Sequence, residues 1–235
     1  MFDALHPTEN RIISFSEYKQ YTLNQGVTVP RNAPKARCPV CKADMGARAG
    51  RTQANGHFYH LDDIFCPTKN PAERPYLGLV AENANINHVQ ANKEFVKNNI
   101  EKIYKRLKEI VPFFDFKEFI AILKEARKLN CYGYANLDIN YIPYVYVTMI
   151  NFLPKNGVKV GGNRRKFKFC FFYDANIQTY ENLWINQGMI ADLIRVSYDK
   201  SQTKKVTAID TTLDYLKNTD FKLSKKQLEW CFSEM

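Results

Sequence analysis

Residues 38–67 of the chain contain Cys38-Pro39-Val40-Cys41, then Gly56-His57-Phe58-Tyr59-His60, and then Cys66-Pro67. Three of the six cysteines and two of the four histidines fall within 29 residues. Two thiols separated by two residues can turn towards the same ion, so this pattern predicts a metal site. The short segments between the ligands, divided by glycines, predict a small module of three strands.

Zinc favours four thiolate or imidazole ligands in a tetrahedron, and Cys38 and Cys41 supply the first two. The second pair must then come from His57, His60 and Cys66. Side chains alternate between the two faces of an extended segment, so the two histidines are expected to point in opposite directions. We therefore predict the ligand set Cys38, Cys41, His60 and Cys66. His57 is the alternative ligand, in a set of Cys38, Cys41, His57 and His60.

The predicted zinc is structural rather than catalytic. A catalytic zinc keeps an open coordination position near a general base, and the acids closest in sequence are Asp44, Asp62 and Asp63. The sequence lacks the His-x-Glu and Pro-Cys-x-x-Cys pairing of zinc deaminases. The expected contribution of the ion is to fold a module that is too small to bury its own core. The remaining cysteines have apolar neighbours and are predicted to be free, buried thiols: Cys131, Cys170 and Cys231.

The spacing of the cysteines and histidines also resembles that of a known family. The positions that match are Arg37-Cys38-Pro39-Val40-Cys41, Met45, Arg48, Gly50, His57-Phe58-Tyr59-His60 and Cys66-Pro67. Over residues 36–67 the chain resembles the N-terminal zinc-ribbon-like head of competence CoiA-like proteins. The resemblance implies a zinc-ribbon-like fold for this module. It also implies a context in phage, mobile-element or antiviral defence systems.

In CoiA-like proteins the head precedes a restriction-type nuclease domain. The active site of that domain needs an acid on one strand and Glu/Asp-x-Lys on the next. The sequence departs from this pattern, because Asp174, Asp192 and Asp199 do not form such an arrangement. No catalytic residue is therefore assigned. A metal-dependent nuclease with an altered active site is the alternative that the resemblance implies, with Asp174 and Asp192 as its first candidate acids.

The 235 residues are expected to form two units. Residues 67–88 are rich in proline and asparagine, which is typical of a connector. We place the boundary so that residues 1–75 form an N-terminal segment with the zinc-ribbon-like module and residues 76–235 form an α+β domain. The fold class is therefore α+β, a small β module followed by a mixed, largely helical domain with a helical hairpin and a short sheet.

Within the second unit, apolar residues at spacings of three and four predict a helix that ends before Pro112. Asp115 is then expected to cap a second helix, which completes the hairpin. Residues 167–173 predict a buried strand, and residues 206–218 predict a helix. Ser224 begins a capping-box pattern that predicts a last helix.

The charge of the chain favours a polyanionic partner. The formal net charge is +10 and the isoelectric point is near 9.2, which is typical of nucleic-acid-binding chains. Around the metal module, the predicted nucleic-acid contacts are Arg37, Lys42, Arg48 and Arg51. In the basic loop before the buried strand, they are Lys159, Arg164, Arg165, Lys166 and Lys168. The aromatic residues that follow this loop are expected to lie in the core.

Several function classes lack their sequence signatures. The chain contains no phosphate-binding P-loop, Gly-x-Ser-x-Gly elbow or Rossmann fingerprint. No apolar run approaches the roughly 18–20 residues of a membrane span, and no secretory signal is recognisable, so we expect a cytoplasmic protein without a membrane partner. The sequence therefore predicts a non-catalytic zinc protein that binds DNA, preferably single-stranded, or a DNA-bound protein. The alternatives are the nuclease and a protein-interaction module that forms a homo-oligomer.

Overall fold

The computed structural model describes residues 1–27, 32–49, 56–62, 66, 68, 86–134, 137–155, 164–172, 193–199, 202–217 and 220–235. Its strands are β1 (Asp3–Leu5), β2 (Ile12–Ser14), β3 (Ala36–Arg37), β4 (Asp44–Arg48), β5 (His57–His60), β6 (Lys168–Phe172), β7 (Leu193–Asp199) and β8 (Gln202–Ile209). Its helices are α1 (Phe15–Asn24), α2 (Ile86–Ile110), α3 (Phe116–Lys128), α4 (Ile142–Met149) and α5 (Lys225–Ser233). The mixture of helices and sheets confirms the predicted α+β class.

The N-terminal strands form an antiparallel sheet in the order β2-β1-β3-β4-β5. Met1, just ahead of β1, also pairs with β5 at the edge of the sheet. The amide of Phe58 donates to the Met1 carbonyl at 2.7 Å, and the Met1 amino group donates to the Phe58 carbonyl at 3.0 Å. The sheet is therefore curled, with the start of the chain held against its edge strand. A small N-terminal β module is present as predicted.

Both predicted helices are present, and a short turn joins α2 to α3, with the rings of Tyr104 and Phe119 5.1 Å apart. One face of α2 is buried from Val96 to Ile110, and its other face carries lysines. Asp115 caps α3, and Glu118 completes a capping box with it. All residues of α4 are buried, because this short helix crosses the middle of the apolar cluster. We call this cluster, which α2, α3, α4 and α5 build, the helical core.

A second antiparallel sheet, in the order β6-β7-β8, lies between the helical core and the N-terminal sheet. Its side chains alternate. Phe169 and Phe171 pack into the helical core. Cys170 and Phe172 pack on the other side, together with β1, β3, β4 and β5, in a cluster that we call the metal-side core. Residues from both predicted units therefore share one apolar cluster.

One element prediction is wrong. Residues 206–218 were expected to be helical, but β8 continues through Ile209, and only residues 213–216 form a short 3-10 turn. The prediction relied on a spacing of three and four residues between Val206, Ile209 and Leu213. The β-branched residues of this segment instead pair with β7. The predicted boundary between residues 75 and 76 lies outside the described residues. In the described parts of the chain, no helix combines the length and apolar character that a membrane crossing requires.

Candidate metal centre

The structure brings Cys38, Cys41, His60 and Cys66 together in one cluster. Their three sulfur atoms and the nearest ring nitrogen all lie within 4.8 Å of one another. This is the first of the two predicted ligand sets. Three thiols and an imidazole can hold a metal ion, and among the described residues no second group of comparable donors is found.

The turn from Cys38 to Ala43 presents two of the sulfurs. The amide of Lys42 donates to the Cys38 carbonyl at 2.9 Å, and the amide of Cys38 donates to the Ala43 carbonyl at 2.8 Å. Lys42 adopts a φ of 61°, in the left-handed region, which turns the chain sharply after Cys41. The amide of Val40 donates to the Cys38 sulfur at 3.4 Å. The backbone of the turn thus positions this sulfur.

The distances within the cluster fit a tetrahedral ion. Cys38 Sγ and Cys66 Sγ are 3.7 Å apart, and Cys41 Sγ and His60 Nε2 are 3.3 Å apart. Zinc bonds of about 2.3 Å to sulfur and about 2.0 Å to nitrogen place two sulfurs about 3.8 Å apart and a sulfur and nitrogen about 3.5 Å apart. A disulfide would need about 2.05 Å between the sulfurs. Cys38 and Cys66 are therefore at a separation suited to metal ligands and not to a covalent pair.

The register of β5 explains why His60 joins the cluster and His57 does not. His60 pairs with Met45 of β4 and shares the inward face with the buried Phe58. His57 pairs with Arg48 on the outward face. The alternation predicted from the sequence is present, and the metal group contains only the inward histidine.

Burial and hydrogen bonding set the protonation of the cluster. Hydrogen bonds to Cys41 and Cys66, together with burial, raise the pKa of Cys38. Hydrogen bonds from Cys38 and Cys41 lower the pKa of Cys66. Burial lowers the pKa of His60, but its hydrogen bonds to Cys41 and Cys66 outweigh this effect and raise the pKa to about 9. The cluster thus holds protons when metal-free, and metal binding must release them.

The cluster is buried on one side and accessible on the other. Cys38 and Cys66 are buried in the metal-side core, whereas Cys41 and His60 are partly exposed. Thr68 Oγ1 lies 3.1 Å from the Cys66 sulfur and 3.8 Å from the Cys38 sulfur. All four coordination positions have a protein ligand, so the arrangement suits a closed, structural ion.

A surface cleft of about 370 Å³ opens beside the cluster. Its apolar wall is made by Met1, Met45 and Phe58. Its polar lining residues are Tyr59, His60, Asp62 and Thr68. Ligand sites in proteins have volumes of roughly 300–1,000 Å³, so the cleft is large enough for a small planar group.

The basic residues predicted around the metal module differ in whether their side chains already bind other groups of the protein. The Arg37 guanidinium already donates to the carbonyls of His6 and Glu9, at distances of 2.9 to 3.2 Å. The Lys42 amine donates to the Pro39 carbonyl at 3.2 Å. Arg48 is exposed at the end of β4, and its guanidinium carbon lies 5.6 Å from the centre of the Tyr59 ring. Arg51 lies outside the described residues.

The basic residues predicted near β6 also differ in their exposure to solvent. Arg164 and Lys166 are exposed, and Lys168 is partly exposed at the start of β6. No described residue forms an ion pair with any of these three side chains. Lys159 lies outside the described residues. The aromatic residues that follow are buried as expected, but Phe167 remains 36% exposed.

Arg165 occupies a different place from the one expected. Its side chain is fully buried and its Nη2 donates to Glu118 Oε1 at 2.5 Å. Lys155 joins the same network, at 2.9 Å from Glu118 and 2.6 Å from Asp115. The predicted nucleic-acid contact at Arg165 is therefore corrected to a buried ion pair, because its charge is matched within the protein and closed off from solvent. The candidate nuclease acids Asp174 and Asp192 lie outside the described residues.

Two exposed aromatic residues were not predicted from the sequence. Tyr59 lies on the outward face of β5 and Phe113 on the turn between α2 and α3, with exposures of 40% and 48%. Phe113 also adopts a φ of 57°, which is unfavourable for a bulky residue. The signal for Tyr59 was its alternation with Phe58, since two neighbours in a half-buried strand cannot both point inward.

The comparisons with known proteins leave the site to be interpreted from its own geometry. No family model matches the chain, and the searches of curated proteins and of solved structures gave no significant match.

Proposed function

We propose that Cys38, Cys41, His60 and Cys66 hold a structural zinc ion. The support is the donor set, three thiols and one imidazole at separations close to those of a zinc tetrahedron. Soft thiolate ligands disfavour magnesium, calcium and manganese, which take oxygen ligands. The ion would hold β3, β4 and β5 against the Cys66 segment.

Metal analysis tests this assignment with a matched pair of cysteine variants. We expect one zinc per chain in the purified protein by elemental mass spectrometry, and one zinc in Cys231→Ala, because that thiol lies in the helical core. Cys41→Ala removes a ligand at the accessible side of the cluster and should lose most of the metal. Equal zinc content in the two variants would rule out this ligand set.

We further propose that the protein binds single-stranded DNA without catalysing a reaction on it. The observation that carries this proposal is the exposure of Arg164, Lys166 and Phe167, together with the partly exposed Lys168, within five consecutive residues. These three cations have no ion-pair partner among the described residues, while the neighbouring Arg165 and Lys155 are neutralised by Glu118 and Asp115. Exposed cations close in sequence to an exposed aromatic ring suit phosphates and unstacked bases.

The surroundings of this surface add to the argument. Lys155 donates its amide to the Arg165 carbonyl at 2.9 Å, and Phe152 exchanges two hydrogen bonds with Phe169. Leu153 of this short ribbon is 60% exposed, and the Lys155 amine donates to the carbonyl of Phe113, which is itself 48% exposed, at 2.7 Å. Exposed apolar side chains near exposed cations favour a ligand with both bases and phosphates. The resemblance to the CoiA-like head also supports a DNA partner.

A titration of labelled single-stranded DNA across salt concentrations tests this function. The site variant carries Arg164→Gln, Lys166→Gln and Lys168→Gln. The matched control carries Lys19→Gln, Lys105→Gln and Lys226→Gln, which removes the same charge from exposed positions elsewhere. We expect the site variant to bind at least tenfold more weakly and to reduce the salt slope by about 2, at about 0.7 per lost phosphate contact. The control should keep its slope.

The other functions predict different outcomes of the same assay. A wild-type protein that binds no DNA at low ionic strength would contradict the proposal and favour a DNA-bound protein as the partner. Cleavage of the labelled strand with Mg²⁺ or Mn²⁺ would favour the nuclease. Light scattering on the sample without DNA reports whether the chain forms a homo-oligomer.

A further inference from the structure

The outward face of β4 and β5 carries an aromatic ring laid across a glycine. Gly46 pairs with Tyr59, and Arg48 pairs with His57. A Cβ atom built on Gly46 would lie 2.5 Å from Cζ of Tyr59 and 2.7 Å from its hydroxyl oxygen. Such distances are too short for real contacts, so the absence of a side chain at Gly46 is what allows the ring to lie over the strand. The ring therefore lies directly against the backbone of Gly46.

The ring is presented to solvent. Tyr59 is 40% exposed and forms part of the wall of the 370 Å³ cleft beside the metal cluster. The Arg48 guanidinium carbon lies 5.6 Å from the centre of the ring, and the His57 ring lies 6.4 Å from it. Burial and the nearby positive charges of the amino terminus and Arg48 lower the pKa of His57. The face thus offers an exposed aromatic ring, a cation and a neutral imidazole.

We propose that Tyr59 is a stacking site for an unpaired base of single-stranded nucleic acid, with Arg48 meeting the adjacent phosphate. This inference rests on the proposed DNA-binding function and adds a second contact surface to it. An unpaired base can place its flat face on an exposed aromatic ring. The bases of a duplex cannot do so, because they are already stacked on one another inside the helix. The guanidinium of Arg48 can serve both the ring face and a phosphate oxygen.

The charges of the face agree with this ligand. Arg48 has no ion-pair partner among the described residues, and the chain as a whole carries a net charge of +10. Asp44 is the acidic residue of the same strand, and it lies at the opposite end of β4 from Arg48. A strand of nucleic acid would therefore keep its phosphates at the Arg48 end and place a base over Tyr59.

Three variants of the full chain separate stacking from other effects. Tyr59→Ala removes the ring, Tyr59→Phe keeps it, and Gly46→Ala adds a methyl group that must push the ring away. The probes are a labelled oligo-dT strand and a labelled duplex of equal length. We expect Tyr59→Ala to weaken binding of the single strand by about 5- to 100-fold, as found for single stacking residues, and to leave duplex binding within about twofold.

The two controls sharpen the outcome. Tyr59→Phe should stay within about twofold of the wild type on the single strand, and Gly46→Ala should follow Tyr59→Ala. Zinc content measured on each sample reports whether the module is folded. If Gly46→Ala loses its zinc, the test is the comparison of Tyr59→Ala with Tyr59→Phe.

The results also separate this inference from the function on which it rests. If the wild type binds the single strand and Tyr59→Ala binds it equally well while retaining zinc, the stacking site is refuted and DNA binding stands. If Tyr59→Ala weakens single-strand and duplex binding to the same extent, Tyr59 does not act by stacking an unpaired base. If the wild type binds neither probe, both proposals fail together.

Discussion

The helical core and the metal-side core hold the protein together in different ways. Among the described residues, the helical core contains 29 buried residues, many of them large, such as Phe119, Tyr132 and Tyr146. The metal-side core contains 16, and ten of these come from the N-terminal segment. Those ten include three alanines and two of the clustered cysteines. The N-terminal sheet therefore has little apolar volume of its own, which is the situation in which a metal ion contributes to folding.

The six cysteines also differ between the two cores: some are isolated among apolar side chains, and others contact one another in the metal group. In or beside the helical core, Cys131 and Cys231 are free and buried, and burial raises the pKa of Cys231 to about 12. Burial likewise raises the pKa of Cys170 to about 11. These thiols act as small apolar side chains, as predicted. In the metal group, hydrogen bonds between the thiols lower the pKa of Cys66 and raise that of Cys38. The neighbours of a cysteine, rather than its burial, decide whether it can serve as a metal ligand.

Removal of the metal should produce the largest effect and should act on one region. Treatment with a chelator is expected to abolish the amide protection of β3, β4 and β5 while α2, α3 and α4 remain protected. Zinc binding in small modules contributes about 10–16 kcal/mol, which exceeds the whole stability of many domains. Hydrogen exchange followed by mass spectrometry measures both regions in one sample. Uniform loss of protection would mean that the two cores unfold as one unit.

Truncation within the helical core should have the converse effect. Phe119→Ala removes a fully buried ring that contacts Tyr104, Phe114 and Phe116. We expect a loss of about 3–5 kcal/mol in the free energy of unfolding, measured by urea denaturation. The folded variant should still contain one zinc per chain. Loss of zinc from it would show that the helical core is needed to form the metal site.

Sequence patterns were sufficient where the structure is set by near neighbours. The metal set follows from the Cys-x-x-Cys turn and from the alternation in β5, which selects His60 over His57. The α3 helix follows from its cap at Asp115, whose partner Glu118 is three residues away. In each case the deciding contact lies within a few residues, so the spacing of side chains carries the information.

The patterns failed where the deciding contact is distant. Arg165 belongs to a run of cations and was expected at the surface, but its partner Glu118 is 47 residues earlier in the chain. Its burial depends on how the ribbon before β6 meets the start of α3. The placement of Tyr59 similarly depends on its pairing with Gly46 in another strand. Neither partner can be read from local sequence, because pairing across a fold is set by packing.

Glu118 gives a test of how the helical region tolerates a broken ion pair. Glu118→Gln removes the charge that faces the buried Arg165, whose Nε and Nη1 atoms have no hydrogen-bond partner among the described residues. A buried charge without its counter-ion is unfavourable, so we expect a loss of about 3 kcal/mol. The control is Glu109→Gln, which removes the half-exposed partner of Arg106 and should cost less than about 1 kcal/mol. Equal effects in urea denaturation would mean that Arg165 is stabilised by other groups.

The smallest expected effect is the pH dependence of the same network. Burial tends to raise the pKa of Asp115, but the hydrogen bond from Lys155 and those from backbone amides lower it below its ordinary value of 3.8. A lowered carboxylate pKa stabilises the folded state above the unfolded pKa, and this contribution is lost as the pH falls through the folded pKa. Asp115→Asn keeps a good helix cap and removes only the charge.

The difference in unfolding free energy between the wild type and Asp115→Asn should therefore be below about 1 kcal/mol near pH 6, since the Lys155 pair is partly exposed. It should fall towards zero as the pH drops through the lowered pKa of the folded Asp115 carboxylate, which lies below 3.8. Acid also displaces metal from thiolate ligands, but both proteins carry the same metal cluster, so that loss cancels in the comparison. A difference that grows as the pH falls would mean that Asp115 is stabilised in its protonated form, which would reverse the assigned role of Lys155.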